Sequence, residues 1–574
     1  VTVTYRPTLE QDAVIWHDGC AFVTACPGAG KTRTMVERAR RLLSDRSDRR
    51  GVAFLSFTNT AVDELEARLR SFGVLPSPIF PSFIGTFDRF LWQFFVAPFG
   101  IDGCDTTPRL IPDKPDWPVQ PHETMQAMPL RAFDRTTGVL DRAIATELRF
   151  NRDPGRHQAR ALRMLAAART KGHVDFEDVR ECVRGRLADK PFAARLGKAL
   201  AARFREIIVD EAQDCNPADL DVVQWLRDSG ITVKVICDPN QSIYKFRGGV
   251  TDELDRFAER FEESERLPMS GNFRSTPAIC SAIVALRPPA ARGAVDQALG
   301  PLKDELNPVH ILSYGGTSVP KTIGAKFGEI AGSLGIQNAD APILASRLPT
   351  AGKAIGHPAP KESLHMTLVL ARAVTDFHFS FGLGNRREAL VALHRAVLQV
   401  QGHIHSPGEY HAHVAGANAE DGKWRPGIIE IASKLKFDPG DTAEGWLAKA
   451  QALLGPGLVA SGSIGQRMRK SPDLPAALAS APLQTHPART IHSAKGLEFA
   501  AVCVVMTSKK TGKVIDHLQT GGGNADDAED ARKIYVAASR AKRLLVLAVP
   551  RNSAARLEAL LASTGCTTQR HDVV

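Results

Sequence analysis

The sequence predicts an α/β protein with two parallel-sheet cores, each covered by helices and each interrupted by a mainly helical insertion. Three observations predict it. Short apolar runs alternate with amphipathic stretches through the first hundred residues. The same buried-strand signature returns at 207–209 and 233–237, and again at 309–312, 343–345, 489–491, 501–505 and 544–548. Two long stretches between these runs break the pattern. The division that follows is 1–100 with 191–235 for the first core and 101–190 for its insertion. The second core takes 236–355 with 484–574, and its insertion takes 356–483.

Cys20 to Ala25 is apolar and long enough for one buried strand. From Thr32 the pattern becomes helical, with Met35, Val36, Ala39, Leu42 and Leu43 on one face. Val52 to Phe57 is the next strand. Asn59 or Thr60 caps a helix that carries Ala61, Val62, Leu65, Leu69 and Phe72 on one side. Phe83 to Phe87 is a third strand. The first insertion opens on Pro108, Pro112, Pro115, Pro118 and Pro121 and continues as a helical stretch bearing Arg149, Arg152, Arg156, Arg160, Arg163 and Arg169. Those arginines either meet a phosphate backbone or face water. The second insertion is rich in Gly, Pro, Ala and His, with a helical piece at Arg387 to Val400. Its His403, His405, His411 and His413 are expected in a partly exposed loop rather than around a metal. Thr520 to Asp530, with three glycines, is expected to be a mobile loop.

The chain has 574 residues and a formal net charge of +10, with an isoelectric point of about 9.2. That balance suits a polyanionic partner, or a basic surface that only meets solvent. No run approaches the roughly 20 apolar residues of a membrane span, and the first residues lack a signal-peptide core. The nine cysteines are scattered and form no Cys-x-x-Cys pair. That argues for a reducing, cytoplasmic setting and against zinc or iron–sulfur ligation.

Chemistry concentrates in two places. Ala25, Cys26, Pro27, Gly28, Ala29, Gly30, Lys31 and Thr32 join the first strand to the first amphipathic helix. A loop in that position aims backbone N–H groups at an anion, and its glycines let phosphate come close. Lys31 is placed to reach the β/γ-phosphates and Thr32 to ligate Mg²⁺. The strict pattern has Gly where Ala25 stands. Second, Asp210 and Glu211 directly follow a buried strand, at the sheet edge where α/β proteins bind ligands. Asp210 is suited to hold Mg²⁺, and Glu211 to orient and deprotonate an attacking water.

Further segments carry a resemblance to the UvrD/Rep/PcrA group of superfamily 1 DNA helicases, spread over nearly the whole chain. Thr8-Leu9-Glu10-Gln11 resembles an adenine-reading motif, with Gln11 the reader. Phe54 to Ala61 and Gly85 to Asp88 resemble the single-strand contacts, although the family usually has His where Asp88 stands. Cys237 to Gly248, Asn272 to Thr276, Thr490 to Phe499 and Glu529 to Ala541 resemble its later motifs, in order. The resemblance implies two RecA-like cores with ATP and Mg²⁺ between them. It assigns Gln241 to sensing the γ-phosphate, Arg274 and Arg540 to the transition state, and Phe273 to stacking on adenine. Arg33 and Glu498 are implied near base and ribose. For DNA it implies Phe57, Thr58, Asn59, Thr86, Phe87, Tyr244, Phe246, Arg247, Thr490 and His492.

The expected function is ATP-driven movement on single-stranded DNA with unwinding of duplex DNA, 3′-to-5′ by resemblance. A second reading is an ATP-gated DNA-binding subunit working with a separate nuclease, as in antiviral defence of the Gabija kind. It is motivated by the shortened second insertion and by the stretch Met506 to Thr520, which departs from the family pattern. RNA as the polymer is a third reading, since a backbone grip only weakly separates the two sugars.

Overall fold

The computed structural model describes residues 6–45, 47–73, 75, 78–101, 104, 106–122, 125–243, 251–293, 296–356, 365–382, 386–405, 407–416, 424–438, 440–478 and 487–573. The chain divides into two compact units. One comprises Val1–Phe90, Arg184–Ala359 and Leu483–Val574; the other comprises Leu91–Val183 and Pro360–Pro482.

The first unit holds two six-stranded sheets, and every strand pair in them is parallel. In the first sheet we number β1 (Ala21–Ala25), β2 (Gly51–Ser56), β3 (Phe83–Thr86), β4 (Phe204–Val209), β5 (Thr232–Cys237) and β6 (Arg266–Met269). Their order is β6-β1-β5-β4-β2-β3. The second sheet contains β7 (Val309–Tyr314), β8 (Ile343–Ala345), β9 (Ala488–Thr490), β10 (Phe499–Val505), β11 (Ala541–Pro550) and β12 (Thr568–Val573), in the order β9-β8-β10-β11-β7-β12. Near-continuous Val, Ile, Leu and Ala in the central strands are what a sheet covered on both faces requires. Val23, Val52, Ile207, Val233, Ile311, Val502 and Leu545 are fully buried.

Within these two sheets, the strands that sequence reading missed, β6 and β12, are both edges. Arg-Leu-Pro-Met carries a proline, which an edge tolerates because one N–H row needs no partner. Thr-Gln-Arg-His-Asp-Val is polar because one flank of an edge faces water. Pairing of β6 with β1 carries the first sheet to Met269, past the boundary expected at 235.

Three helices matter for the site: α1 (Leu9–Trp16), α2 (Lys31–Ser44) and α3 (Asn59–Ser71). Thr8 caps α1 and Thr58 caps α3, each accepting from a backbone N–H three residues on. A buried ionic network anchors α1 and α2. Arg38 pairs with Glu206 and donates to the carbonyls of Val14 (3.2 Å) and Ile15 (2.9 Å). Such a pair contributes little net stability but fixes how the elements sit.

In the second sheet's layer, α4 (Thr511–Thr520) and α5 (Ala525–Ala538) follow β10. The stretch that departs from the family pattern therefore forms an ordinary packing helix, with Val514, Ile515 and Leu518 in the core. Of the loop expected at 520–530, residues 521–524 do connect the two helices, but Ala525–Asp530 is helical, which corrects that part of the expectation. Asn524 caps α5, accepting from Asp526 N (3.0 Å) and Asp527 N (2.9 Å), and Asp526 and Asp527 sit in the helix's first turn, where its dipole favours them.

In the second unit the two insertions share one compact body. Its helices include Gly155–Thr170, Met366–Gly382, Arg386–Gln401, Arg425–Lys434 and Ala443–Leu454. Two short strand pairs, Arg109–Leu110 with His173–Val174 and Pro118–Val119 with Met128–Pro129, accompany them. Asp113 accepts from His411 N (3.2 Å), which ties one insertion to the other. His403 and His405 are exposed on the connection between helices, as expected, whereas the other two histidines are helical. His411 and His413 lie on the helix Tyr410–Gly416, and buried His394 stacks on Trp424 with ring centroids 4.0 Å apart. Among the described residues no group of three or more side chains could hold a metal, and no helix is long and apolar enough to cross a membrane.

Candidate active site

The loop between β1 and α2 is built as its sequence requires. Gly28 (φ 74°) and Gly30 (φ 77°) are left-handed, and Gly30 opens α2. Gln11 Nε2 donates to Ala29 O (2.9 Å), so α1 is fastened to the loop through this buried side chain. Ala25, Cys26, Pro27 and Ala29 are buried; Thr32 is half-buried and Arg33 is exposed on the first turn of α2. Burial keeps the Cys26 thiol well above its usual range, so it stays protonated.

Asp210 and Glu211 follow β4, beside Lys31. Lys31 Nζ lies 3.1 Å from Glu211 Oε1. Burial opposes the lysine's charge, but Glu211, Asp210 and Asp238 outweigh it and hold Lys31 well above the usual range. The two acids are driven apart. Burial and the neighbouring Glu211 push Asp210 up to about 7. Burial acts in the same direction on Glu211, yet Lys31, Lys495 and Arg540 hold it below the usual carboxylate range. Glu211 has φ 56° and ψ 39°, a left-handed backbone on a residue other than glycine, the kind of strain that persists where surrounding structure over-determines it. Gln213 donates to Glu211 Oε2 and accepts from Asp238 N (3.0 Å), which fixes the carboxylate's direction.

The second sheet's layer supplies the opposite wall. Phe273 N donates to Gly28 O (2.9 Å), and a Cβ at Gly28 would fall 2.6 Å from Asn272 Oδ1 and 2.7 Å from Arg274 Cβ. The segment 272–274 is therefore pressed against the phosphate-type loop. Phe273 also approaches Gly30. Arg274 pairs with Glu498 (Nε to Oε1, 2.8 Å) and donates to Ser539 O (2.9 Å). Glu498 also meets Lys542 at 3.1 Å. Arg540 is buried and donates to Gln241 Oε1 (2.6 Å), while Gln241 Nε2 donates to Asp238 Oδ2 (2.8 Å). Tyr535 on α5 donates to the same Asp238 oxygen (3.0 Å). Lys495 Nζ reaches Asp214 at 2.6 and 2.7 Å. Sequence reading named Lys31, Asp210, Glu211, Gln241, Arg274 and Arg540, and the fold brings all six to this cleft. It missed Asp214, Asp238, Lys495 and Tyr535, whose partners are far away in sequence. Asp238 also lines a separate cavity of about 660 Å³ beside Cys26, Arg287, Asp296 and Tyr535.

Mg²⁺ has a fitting place. Asp210 Oδ1 is buried without a hydrogen-bond partner. Thr32 and Asp210 both line one small, otherwise largely apolar cavity. A carboxylate oxygen and a hydroxyl are the kind of hard-oxygen donors that Mg²⁺ prefers.

The expected polymer contacts divide. Thr86 is half-buried and accepts from Arg89 N (3.2 Å); Asn59 is exposed at the start of α3. Phe57 is half-buried and stacks on Phe87, with centroids 5.5 Å apart. Phe87 itself is fully buried, so its expected role on DNA is corrected: it is core, and supports Phe57 from behind. Thr490 ends β9 and His492 opens the turn that follows, where its Nε2 donates to Ile243 O (3.3 Å). Tyr244, Phe246 and Arg247 fall outside the described residues.

Two parallel sheets sharing a cleft, with a glycine-rich loop on one wall and arginines on the other, define a tandem RecA-like P-loop NTPase. The family model described as the UvrD/REP helicase N-terminal domain matches residues 8–97 and 123–262. The one described as the UvrD-like helicase C-terminal domain matches 484–552. The chain belongs to the UvrD/REP-type helicases. It is 25% identical to the ATP-dependent DNA helicase UvrD2 of Mycobacterium tuberculosis, over 94% of this chain and 77% of that protein. The ATP-dependent DNA helicase UvrD1 of the same species is 25% identical over 48% of this chain and 38% of its own. The Gabija protein GajB of Bacillus cereus is 23% identical over 46% of each.

Proposed function

We propose that the chain is an ATP-dependent DNA translocase and helicase, moving 3′-to-5′ on single-stranded DNA and unwinding duplex ahead of it. One observation carries this reading: Arg274 and Arg540 come from one core to a cleft whose loop, acids and Gln241 come from the other. An active site divided in this way is completed only when both walls close. In comparable NTPases an arginine so delivered is worth about 10³–10⁵ in rate. Closing and opening the cleft then moves two polymer grips relative to each other once per ATP.

Each residue has a part in that cycle. The N–H groups of the loop and Lys31 cradle the phosphates. Gln11 reads adenine and Phe273 stacks on it, with Arg33 and Glu498 near base and ribose. Thr32 and Asp210 would hold Mg²⁺, which neutralises charge on the phosphate oxygens when bound. Glu211, kept ionised beside Lys31, takes the proton of the attacking water. Gln241, already joined to Arg540, reports the γ-phosphate to the opposite wall. Phe57, Thr58, Asn59, Thr86, Thr490 and His492 are proposed along the polymer path, with Tyr244, Phe246 and Arg247 added by resemblance. Stacking and backbone contacts suit a motor because they tolerate every base.

The test is ATP hydrolysis measured in parallel with single-stranded DNA, duplex DNA and RNA. Single-stranded DNA should stimulate most. Lys31→Ala and Glu211→Gln should each lower the stimulated kcat by at least about 100-fold; near wild-type turnover removes that residue from its role. The similarity to GajB favours a second reading, a DNA-binding subunit that acts with a separate nuclease. Strand displacement by the purified chain separates the two: robust unwinding without a partner supports the first.

A further inference from the structure

The ion pair between Lys495 and Asp214 lies in the cleft, beside the groups proposed to meet ATP phosphates. Its two side chains are 5% and 1% exposed. Lys495 belongs to the turn after β9 and Asp214 to the turn after β4, so the pair joins the two cores. Burying both charges is expensive, and such a pair seldom repays its desolvation as stability. Its position gives it a different use.

Each partner is connected to a different end of the machine. Asp214 N donates to Glu211 O (2.9 Å), closing the short turn Ala212–Asp214. The intervening Gln213 orients the Glu211 carboxylate. A shift of Asp214 therefore moves the turn that aims Glu211. On the other side, Lys495 N donates to His492 O (3.3 Å) and Ser493 N to Thr490 Oγ1 (3.2 Å). The turn holding Lys495 thus holds His492 and is tied to Thr490, both proposed to touch the polymer. Lys495 Nζ also lies 3.4 Å from Gln241 O, so the same ammonium reaches the second group expected to respond to the γ-phosphate.

We infer that Lys495 and Asp214 are positioning residues that make ATP hydrolysis depend on the polymer. A strand seated on the Thr490–His492 turn sets Lys495, Lys495 sets Asp214, and Asp214 sets Glu211. This rests on the translocase reading and adds the route by which the polymer regulates the nucleotide site.

The experiment uses the full chain and poly(dT) as the probe, measuring ATP turnover with and without it. Lys495→Met, Asp214→Asn and the double variant are compared with wild type. The double variant removes both charges, so no unpaired charge stays buried and folding is preserved; a thermal melt checks this. Each single variant should lower the ratio of stimulated to basal turnover by about tenfold, within the range of ordinary coupling energies, and the double variant should be no worse than either single. KM for ATP and nucleotide-free poly(dT) affinity should stay within about threefold of wild type. A double variant that keeps the wild-type ratio overturns the inference. Equal loss of basal and stimulated turnover in all three variants also overturns it, because the pair then only holds the cores together. Wild-type turnover indifferent to every nucleic acid sinks the translocase reading itself, and this coupling with it.

Discussion

Gly28 shows how little freedom a single position has in this cleft. Its backbone is left-handed, and the space where a side chain would begin is filled from the opposite wall by Asn272 and Arg274. Alanine there meets two penalties, about 1–2 kcal/mol of backbone strain and a clash that pushes the two walls apart. Gly28→Ala should therefore weaken ATP binding and turnover more than it lowers the melting temperature. Equal retention of both would show that segment 272–274 yields easily. The groups nearest the nucleotide were legible in the sequence because a loop of eight residues and an Asp-Glu pair state their chemistry locally. Asp214 and Lys495 were not, because they are 281 residues apart and only the fold makes them neighbours. Phe87 misled for the opposite reason: its motif resembles a polymer contact, but it opens the helix Phe87–Leu91 with its ring fully in the core.

Among the elements, central strands were readable and edge strands were not. A strand covered on both faces must be apolar throughout, whereas β6 and β12 each have a flank in water and read as loops. The β12 edge has a testable property. His571 on β12 and His310 on β7 stack, with Nδ1 of His310 2.8 Å from Nε2 of His571. Burial, then the charge of His571, lowers His310 to about 4. Unfolded, the group takes a proton near pH 6.5. Between these values the unfolded chain binds more protons, so stability rises with pH. The contribution is fully present above about pH 6.5 and lost as the pH falls towards 4, at most roughly 3 kcal/mol. Urea denaturation at pH 7.5, 5.5 and 4.5 should show this loss in wild type and a shallower slope in His310→Asn. Identical slopes would place the loss elsewhere.

For the molecule as a whole, the excess of positive charge is not spread evenly. On the helix Gly155–Thr170, Arg156, Arg160 and Arg163 are exposed and share one face, and the helix has no acidic residue. If that face meets a phosphate backbone, replacing all three with glutamine should shallow the log–log dependence of single-strand affinity on salt by about 2, since each neutralised phosphate contributes about 0.7. An unchanged slope assigns the face to solvent. The division into two cores was readable from the return of the strand signature, but the union of both insertions in one body was not, since no local pattern records which surfaces will meet.

The pairing of Lys31 with Glu211 and of Arg274 with Glu498 has a consequence for how the motor is fuelled. Lys31 and Arg274 already hold carboxylate partners, so a triphosphate bound there would exchange partners with them instead of meeting bare cations. On the translocase reading proposed above, such an exchange would ease reloading at every step.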